Sequence, residues 1–350
     1  MKIVNISEER SYHASDAGEW RWLEPMMSGD LQWRHHSTRT APAWLKRIGS
    51  DRLTRFWIAF SAVAEGRKAD LLVTHGVELA AAVGLARWLL RCRTPHLAWS
   101  FSMPRPEALA GARLRYYRFA LRHVARFVMF STLETRIYPP LLKIPADRFE
   151  MAHWSTEPPA VGETGALPAG EPYLAAIGGE GRDYATLFEA MRRAPELRLV
   201  VVASPASVAG LTPPDNVDLR VNLPLKTTLG LAQQAEFMVL PLLSQRTPCG
   251  HGSLISQFFM GKATLVTEGE AMSDYIQPEE NALTCPPGDP DAMAEAIRRL
   301  AGDEALRERL SRNGRRFAET VCSEAHTVDF MEKLLCQMIG EPSGMSGALA

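Results

Sequence analysis

The sequence predicts an α/β protein built from two parallel-sheet domains in tandem. Three observations carry this. Strand-like apolar runs alternate with helical patterns along the chain, the rhythm of a parallel sheet with helices on its faces. The stretch "STEPPAVGETGALPAGEPY", residues 155–173, is rich in Pro, Gly and small polar residues, lacks an apolar period, and reads as a linker. A chain of 350 residues exceeds one ordinary core and suits two.

Before the linker, "KIVNI", "DLLVTHG", "HLAWSFS" and "RFVMFS" are candidate strands, and "VELAAAVGLARWLLR" is a helix between two of them. Residues 20–60 carry tryptophans at 20, 22, 33, 44 and 57 and no clear period. They read as packing residues. After the linker the rhythm is sharper. "YLAAIG", "LRLVVVAS" and "FMVLPL" are strands, while "DYATLFEAMRRA" and "TTLGLAQQA" are helices. Asp289 with Pro290, and then Asp303, supply helix starts near the end. The expected organisation is a first domain over 1–155, a linker over 156–172 and a second domain over 173–322. A terminal helix over 323–340 would cross back to the first domain, and 341–350 would form a disordered tail. The carboxyl ends of both sheets, where ligands of open α/β sheets sit, are expected to face each other across a cleft.

Composition narrows the function classes. The chain is 46% hydrophobic and 23% charged, as in globular proteins. No apolar run reaches the length of a membrane span, and "MKIVNIS" has no signal-peptide apolar region, which predicts a cytoplasmic protein. Cys92, Cys249, Cys285, Cys322 and Cys336 are scattered without C-x-x-C spacing and read as buried free thiols. The net charge of −1 conceals an asymmetry: residues 1–150 carry 23 Lys and Arg against 14 Asp and Glu, and the rest of the chain carries 16 against 26. A basic first half suits an anionic substrate or a membrane surface. The segment "ARLRYYRFALRHVARF", 112–127, reads as one helix with Arg115, Arg118, Arg122 and Arg126 near one side. It is either a bilayer-facing amphipathic helix or a solvated face. No nucleic-acid motif accompanies the charge.

Two loops carry the candidate chemistry. In "TPCGHGSLISQFFMGKATLVT", 247–267, Gly250 and Gly252 leave main-chain amides open to close approach. With a helix starting at Ser253, those amides and the helix dipole favour a phosphate. Leu254, Ile255, Phe258 and Phe259 would pack inward. Ser253, Ser256 and Gln257 would face a ligand, Gln257 reaching a hydroxyl, and His251 lies in the turn. The alternative is a loop that only reverses the chain. In "AIGGEGRDYATLFEA", 176–190, Gly179 belongs to a glycine-rich turn after a strand. Arg182 stands before a helix capped by Asp183, where its guanidinium is either a diphosphate clamp or a surface group. Together the loops point to one ligand with two phosphates. His75 in "VTHG" ends a strand and is a candidate acceptor contact or proton relay, or a structural histidine. His35 and His36 read as surface residues, and no cluster has metal-ligand spacing, so no metal is expected.

These residues resemble a known family. "GRDYATLFEA", "VNLPLKTTLGLAQQAEFMVLPL", "GHGSLISQFFMGKATLVT" and "AMSDYIQPEENALTCPPGDPDAMAEAI" occur in the order found in the donor domain of GT-B glycosyltransferases, most similar to glycosyltransferase family 4. The resemblance covers about residues 173–320. "RFVMFSTLETRIYPPLLKIPADRFEMAHWS" resembles more weakly the end of that family's acceptor domain. The family carries two glutamates eight residues apart around the phosphate loop, the second holding the donor's ribose. Here the positions fall at Pro248 and Ser256, with Gln257 adjacent.

The resemblance implies a GT-B fold of two Rossmann-like domains and a glycosyltransferase. Its donor would be a nucleotide-diphosphate sugar, UDP- or GDP-linked, held by Gly179, Arg182, Gly250, His251, Gly252, Ser253, Ser256 and Gln257. Arg182 would offset charge on the leaving diphosphate. The acceptor would be a glycan, lipid-linked saccharide or small molecule, with transfer by retention and without cofactor or metal. The protein would be cytoplasmic, with an anionic membrane surface as a partner through 112–127. The missing acids motivate two alternatives: a weakened nucleotide- or glycan-binding module, and a nucleotide-sugar epimerase.

Overall fold

The computed structural model describes residues 1–8, 22–103, 106, 109–161, 172–243 and 249–340. Trp20, most of the expected linker, Pro248 and the 341–350 tail lie outside the described residues. The chain divides into two compact units. One comprises Met1–Ala152 with Thr327–Ala350, the other His153–His326.

In the first unit, β1 (Lys2–Ser7), β2 (Gln32–Ser37), α1 (Ala43–Ile48), α2 (Asp51–Gly66), β3 (Leu71–His75), α3 (Val77–Leu89), β4 (His96–Trp99), α4 (Gly111–Leu121), β5 (Arg126–Met129), α5 (Thr132–Leu142) and β6 (Phe149–Met151) follow in order. The described strands form one parallel sheet, ordered β2-β1-β3-β4-β5-β6. The second unit contains β7 (Leu174–Ile177), α6 (Tyr184–Arg193), β8 (Leu199–Ala203), β9 (Val217–Val221), α7 (Leu225–Gln234), β10 (Met238–Leu240), α8 (His251–Phe259), β11 (Thr264–Thr267), β12 (Leu283–Cys285), α9 (Pro290–Gly302) and α10 (Glu304–Val321). Its parallel sheet is ordered β12-β11-β10-β7-β8-β9. The last helix, α11 (Glu324–Ile339), begins in the second unit and continues into the first.

The elements form where local chemistry asks for them. Strands such as "LVVVA" are buried on both faces, so they read as continuous β-branched runs. Side chains of Asp183, Asp289 and Asp303 accept main-chain N–H bonds at the starts of α6, α9 and α10. One core of the second unit lies between the sheet and α6, α9 and α10, around Leu187, Phe188, Val201, Leu265 and Ile297. In the first unit α11 closes one face: Val328, Met331, Leu334 and Leu335 pack with Ile3, Leu71, Leu97 and Trp99.

The basic helix expected over 112–127 is not one element. α4 ends at Leu121, and Arg126 opens β5, where it pairs with Glu150. The helical period runs on through 122–125 only in the sequence, because no Gly or Pro marks the stop.

Both chain orders reverse direction once. In the first sheet the chain goes from β1 to β2 on one side, then to β3 on the other; in the second it returns from β9 to β10 on the far side of β7. Each reversal opens a crevice at the carboxyl ends of two neighbouring strands, the place where open α/β sheets take ligands.

Leu335 is fully buried in the cluster that holds α11 on the first unit. Leu335→Ala should lower stability by about 2–5 kcal/mol, read as a lower urea midpoint. A midpoint equal to wild type would mean α11 adds nothing to that core.

Candidate functional site

The switch point of the second unit lies between β7 and β10. The loops that follow these strands are stitched together: Asp183 N donates to Pro241 O at 3.0 Å, and Leu243 N donates to Gly181 O at 3.0 Å. This brings Arg182, just after β7, beside the start of α8, 71 residues later. Arg182 Nη2 donates to Ser253 Oγ at 2.8 Å, Nη1 to Glu180 O at 3.0 Å, and Nε reaches Ile177 O at 3.5 Å.

The guanidinium is buried, with 6% of the residue exposed. It lies against Gly178: a Cβ there would sit 2.7 Å from Nη2 and 2.8 Å from Nε, and the glycine's φ of +131° is itself disfavoured for other residues. Only glycine admits the group. Among the described residues Arg182 forms no ion pair with a carboxylate. Burial holds its pKa below the usual arginine value, partly offset by Tyr184 and Cys249. Tyr184, whose hydroxyl donates to Gly178 O at 2.6 Å, has its own pKa pushed up to about 12, also by burial. A buried cation bonded only to neutral oxygens is an expensive arrangement, and such sites are typically functional.

Helix α8 begins two residues before the expected Ser253. Gly250 takes φ +92° at its N-cap, and the first intrahelical bond runs from Leu254 N to Gly250 O at 2.9 Å. The amides of His251, Gly252 and Ser253 therefore precede the helical ladder, at the positive end of the helix dipole. A Cβ on Gly250 would lie 3.6 Å from Arg182 Nη1. Main-chain donors and the guanidinium thus converge on one spot.

His251 is buried as the first residue of α8. Its ring packs edge-on against Tyr275 at 4.5 Å, and it hydrogen-bonds the Ala271 main chain. Nε2 has no partner among the described residues. Burial, the largest influence, lowers the pKa to about 4; the Ala271 bond and Asp274 oppose this, and His153 reinforces it. The ring is neutral at pH 7. With the other nitrogen bonded to a carbonyl, Nε2 is left as an acceptor, suited to a hydroxyl.

Gly252, Ser253 and Ser256 stay partly exposed, and Gly179 lies near Ser204, whose Oγ would be 3.0 Å from an added Cβ. Gln257 is expected to reach a ligand hydroxyl. It is fully buried, and neither amide atom has a hydrogen-bond partner among the described residues. The row Ser253–Gln257–Met260 runs from the loop into the cluster of Ile177, Val200 and Leu231, which includes Met260. α8 also packs on α10, where Gly314 meets the Phe258 ring. A helix covered on two sides has no polar face at Gln257.

Tyr184, Tyr275 and Trp154 were not singled out from the sequence. Trp154 N donates to Tyr275 Oη at 2.8 Å, and the indole Nε1 lies 3.6 Å from where a Gly252 Cβ would be. Nothing local in "MAHWSTE" signals this.

His75 ends β3 at the switch point of the first unit. Nε2 lies 2.8 Å from Asn5 Oδ1, Asn5 Nδ2 is 3.3 Å from His35 Nδ1, and His35 Nε2 is 3.3 Å from Glu24. Burial first, and His35 second, push the His75 pKa down to about 3. At neutral pH that ring is a neutral hydrogen-bonding group held by Asn5. His36 pairs with Glu65 at 2.9 Å. Among the described residues no group of three metal-ligating side chains occurs, and no helix is long and apolar enough to cross a membrane.

Residues 184–303 match the family model described as "Glycosyl transferases group 1". No curated protein matches. Solved structures match over nearly the whole chain. HepE of Anabaena in complex with UDP aligns with a TM-score of 0.71 at 11% identity, over 96% of this chain and 100% of that one; the same protein is also known with UDP-glucose. A sucrose-phosphate synthase of Thermosynechococcus elongatus aligns at 0.69 and 17% identity, covering 96% and 98%. A glycosyltransferase of Rickettsia africae aligns at 0.68 and 11%, again covering 96% and 98%. The fold is GT-B, and with a group 1 segment in its second unit the chain is a glycosyltransferase.

Acid should expose the buried imidazole. The folded His251 pKa is below its unfolded value, so the unfolded chain binds more protons between about 6.5 and 4. Stability is intact above that window and falls by about 3 kcal/mol as the pH drops through it. His75 acts in the same direction. His251→Gln should flatten the slope, measured by urea unfolding at several pH values; an unchanged slope would place the ring in solvent.

Proposed function

We propose that the second unit binds a nucleotide-diphosphate sugar by its diphosphate, between Arg182 and the first turn of α8. The sugar is then transferred to a glycan, lipid-linked saccharide or small-molecule acceptor, and the protein acts in the cytoplasm. One observation carries the reading: a buried guanidinium without a carboxylate partner among the described residues, bonded to Ser253 where a helix presents its free amides. Such a group meets an anion without first breaking an ion pair. As the sugar departs, negative charge grows on the diphosphate, and fixed donors already aimed there lower the barrier.

Among the described residues no carboxylate pairs with Arg182 at this spot. Ser256 stands where a glutamate is expected from the resemblance and offers a neutral partner to a ribose hydroxyl. His251 Nε2, as an acceptor, suits a hydroxyl of the sugar. We assign no protein nucleophile, and expect retention of configuration. The UDP and UDP-glucose complexes of HepE favour a uridine donor over a guanosine one.

Thermal shifts with UDP, GDP, ADP and dTDP test the site. UDP should stabilise the wild type. Arg182→Met should leave the ligand-free protein as stable or more stable, since it removes an uncompensated buried charge. The same variant should weaken UDP binding by about 100-fold. A variant that binds UDP like the wild type would remove Arg182 from the site.

The protein's own donors supply the positive charge in this reading. Sugar transfer should therefore persist in EDTA within about twofold of its value with added magnesium. Product anomers read by NMR decide retention, and abolition by EDTA would mean a metal carries the diphosphate.

A further inference from the structure

The end of the first unit opposite His75 carries a feature that sugar transfer does not use. There α3 and α4 both terminate, next to the starts of β4 and β5. Trp88 and Leu89 are each 51% exposed and Phe119 39% exposed. Large apolar side chains at that exposure, grouped rather than scattered, mark an interaction surface. Trp88 and Phe119 meet edge-to-face at 5.1 Å, and the Arg122 guanidinium lies over the Phe119 ring at 3.8 Å.

The two turns, 90–95 and 122–125, carry basic residues and no acidic ones. Arg91 and Arg93 are exposed in the turn after α3, and Arg122 follows α4. Among the described residues none of the three pairs with a carboxylate, in contrast to Arg113 and Arg126, which do. The buried Arg87 fixes the two turns together: Nη1 donates to His123 O at 3.0 Å and Nη2 to Thr94 O at 2.6 Å. Between them lies an open depression of about 580 Å³, lined by Arg87, Trp88, Leu89, Arg91, Cys92 and Arg93.

We propose that this edge of the first unit docks on the surface of an anionic phospholipid bilayer. Trp88, Leu89 and Phe119 enter the interface, and Arg91, Arg93 and Arg122 pair with lipid phosphates. Tryptophan sits well at the headgroup level, and arginines attract an anionic leaflet from the water side. Charge complementarity singles out this occupant: a second copy would bring the same unpaired cations against these. The docking surface is therefore the ends of α3 and α4 with their turns, rather than the side of a helix over 112–127. Because His75 lies at the other edge of the same sheet, docking leaves that crevice uncovered.

Flotation of the full chain with vesicles tests the surface, and needs no sugar donor. Binding is expected to vesicles of phosphatidylcholine mixed with phosphatidylglycerol, to weaken with salt, and to be absent with phosphatidylcholine alone. The triple variant Arg91→Gln, Arg93→Gln, Arg122→Gln should lower partitioning about 100-fold. Trp88→Ser with Phe119→Ser should lower it about tenfold or more, while keeping the wild-type unfolding midpoint. Trp44→Ser, an exposed tryptophan on α1, should change nothing. Three results would overturn the assignment: equal binding to neutral vesicles, binding lost in Trp44→Ser instead, or no vesicle binding alongside either heparin retention or a dimer abolished by these substitutions.

Discussion

The burial of one guanidinium organises the second unit. Arg182 cannot sit where it does unless Gly178 lacks a side chain, the loops after β7 and β10 are joined, and α8 starts early enough to put Ser253 within reach. Each condition costs conformational freedom or desolvation. The surrounding core makes the arrangement tolerable: Leu187, Phe188, Val201 and Leu265 are fully or almost fully buried beneath it. The site's rigidity is thus borrowed from the sheet, and its chemistry from a charge that the sheet alone would not select.

Sequence reading recovers this centre because each half obeys a local rule. A glycine-rich turn after an apolar strand, followed by a capped helix, is visible in "AIGGEGRDYATLFEA" and again before α8. Their meeting is not local, and rests on the chain reversal between β9 and β10. The misreadings have physical causes. β2 passed unnoticed in "QWRHHS" because it is an edge strand, paired only with β1, and needs no continuous apolar run. A helical wheel assumes one buried face, whereas α8 packs on α10 at Phe258 and is buried at Gln257 as well. The stretch 112–127 hid a strand start, since arginines and aromatics keep the helical spacing through the turn at 122–125.

The chemistry of the site turns on what is missing from it. A carboxylate at Ser256 would strengthen bonds to hydroxyls, since charge-assisted bonds are about twice as strong as neutral ones. It would also stand close to a diphosphate and repel it. In the proposed transfer a neutral Ser256 reverses that balance: hydroxyl recognition weakens, and so does repulsion of the leaving group. Discrimination then rests on shape and on polar atoms that must be satisfied, of which His251 Nε2 is one.

The same logic separates the two switch points. The second unit places a cation there, while the first places His75, Asn5 and His35 in a hydrogen-bonded chain ending at Glu24. An anionic ligand gains at the first of these places and loses little by avoiding the second. A ligand presenting hydroxyls finds donors and acceptors at the second without the desolvation of a charge. His75, whose pKa burial holds near 3, meets such a hydroxyl as a neutral ring bonded to Asn5. The protein's contribution is then positional and electrostatic, centred on the buried Arg182 guanidinium.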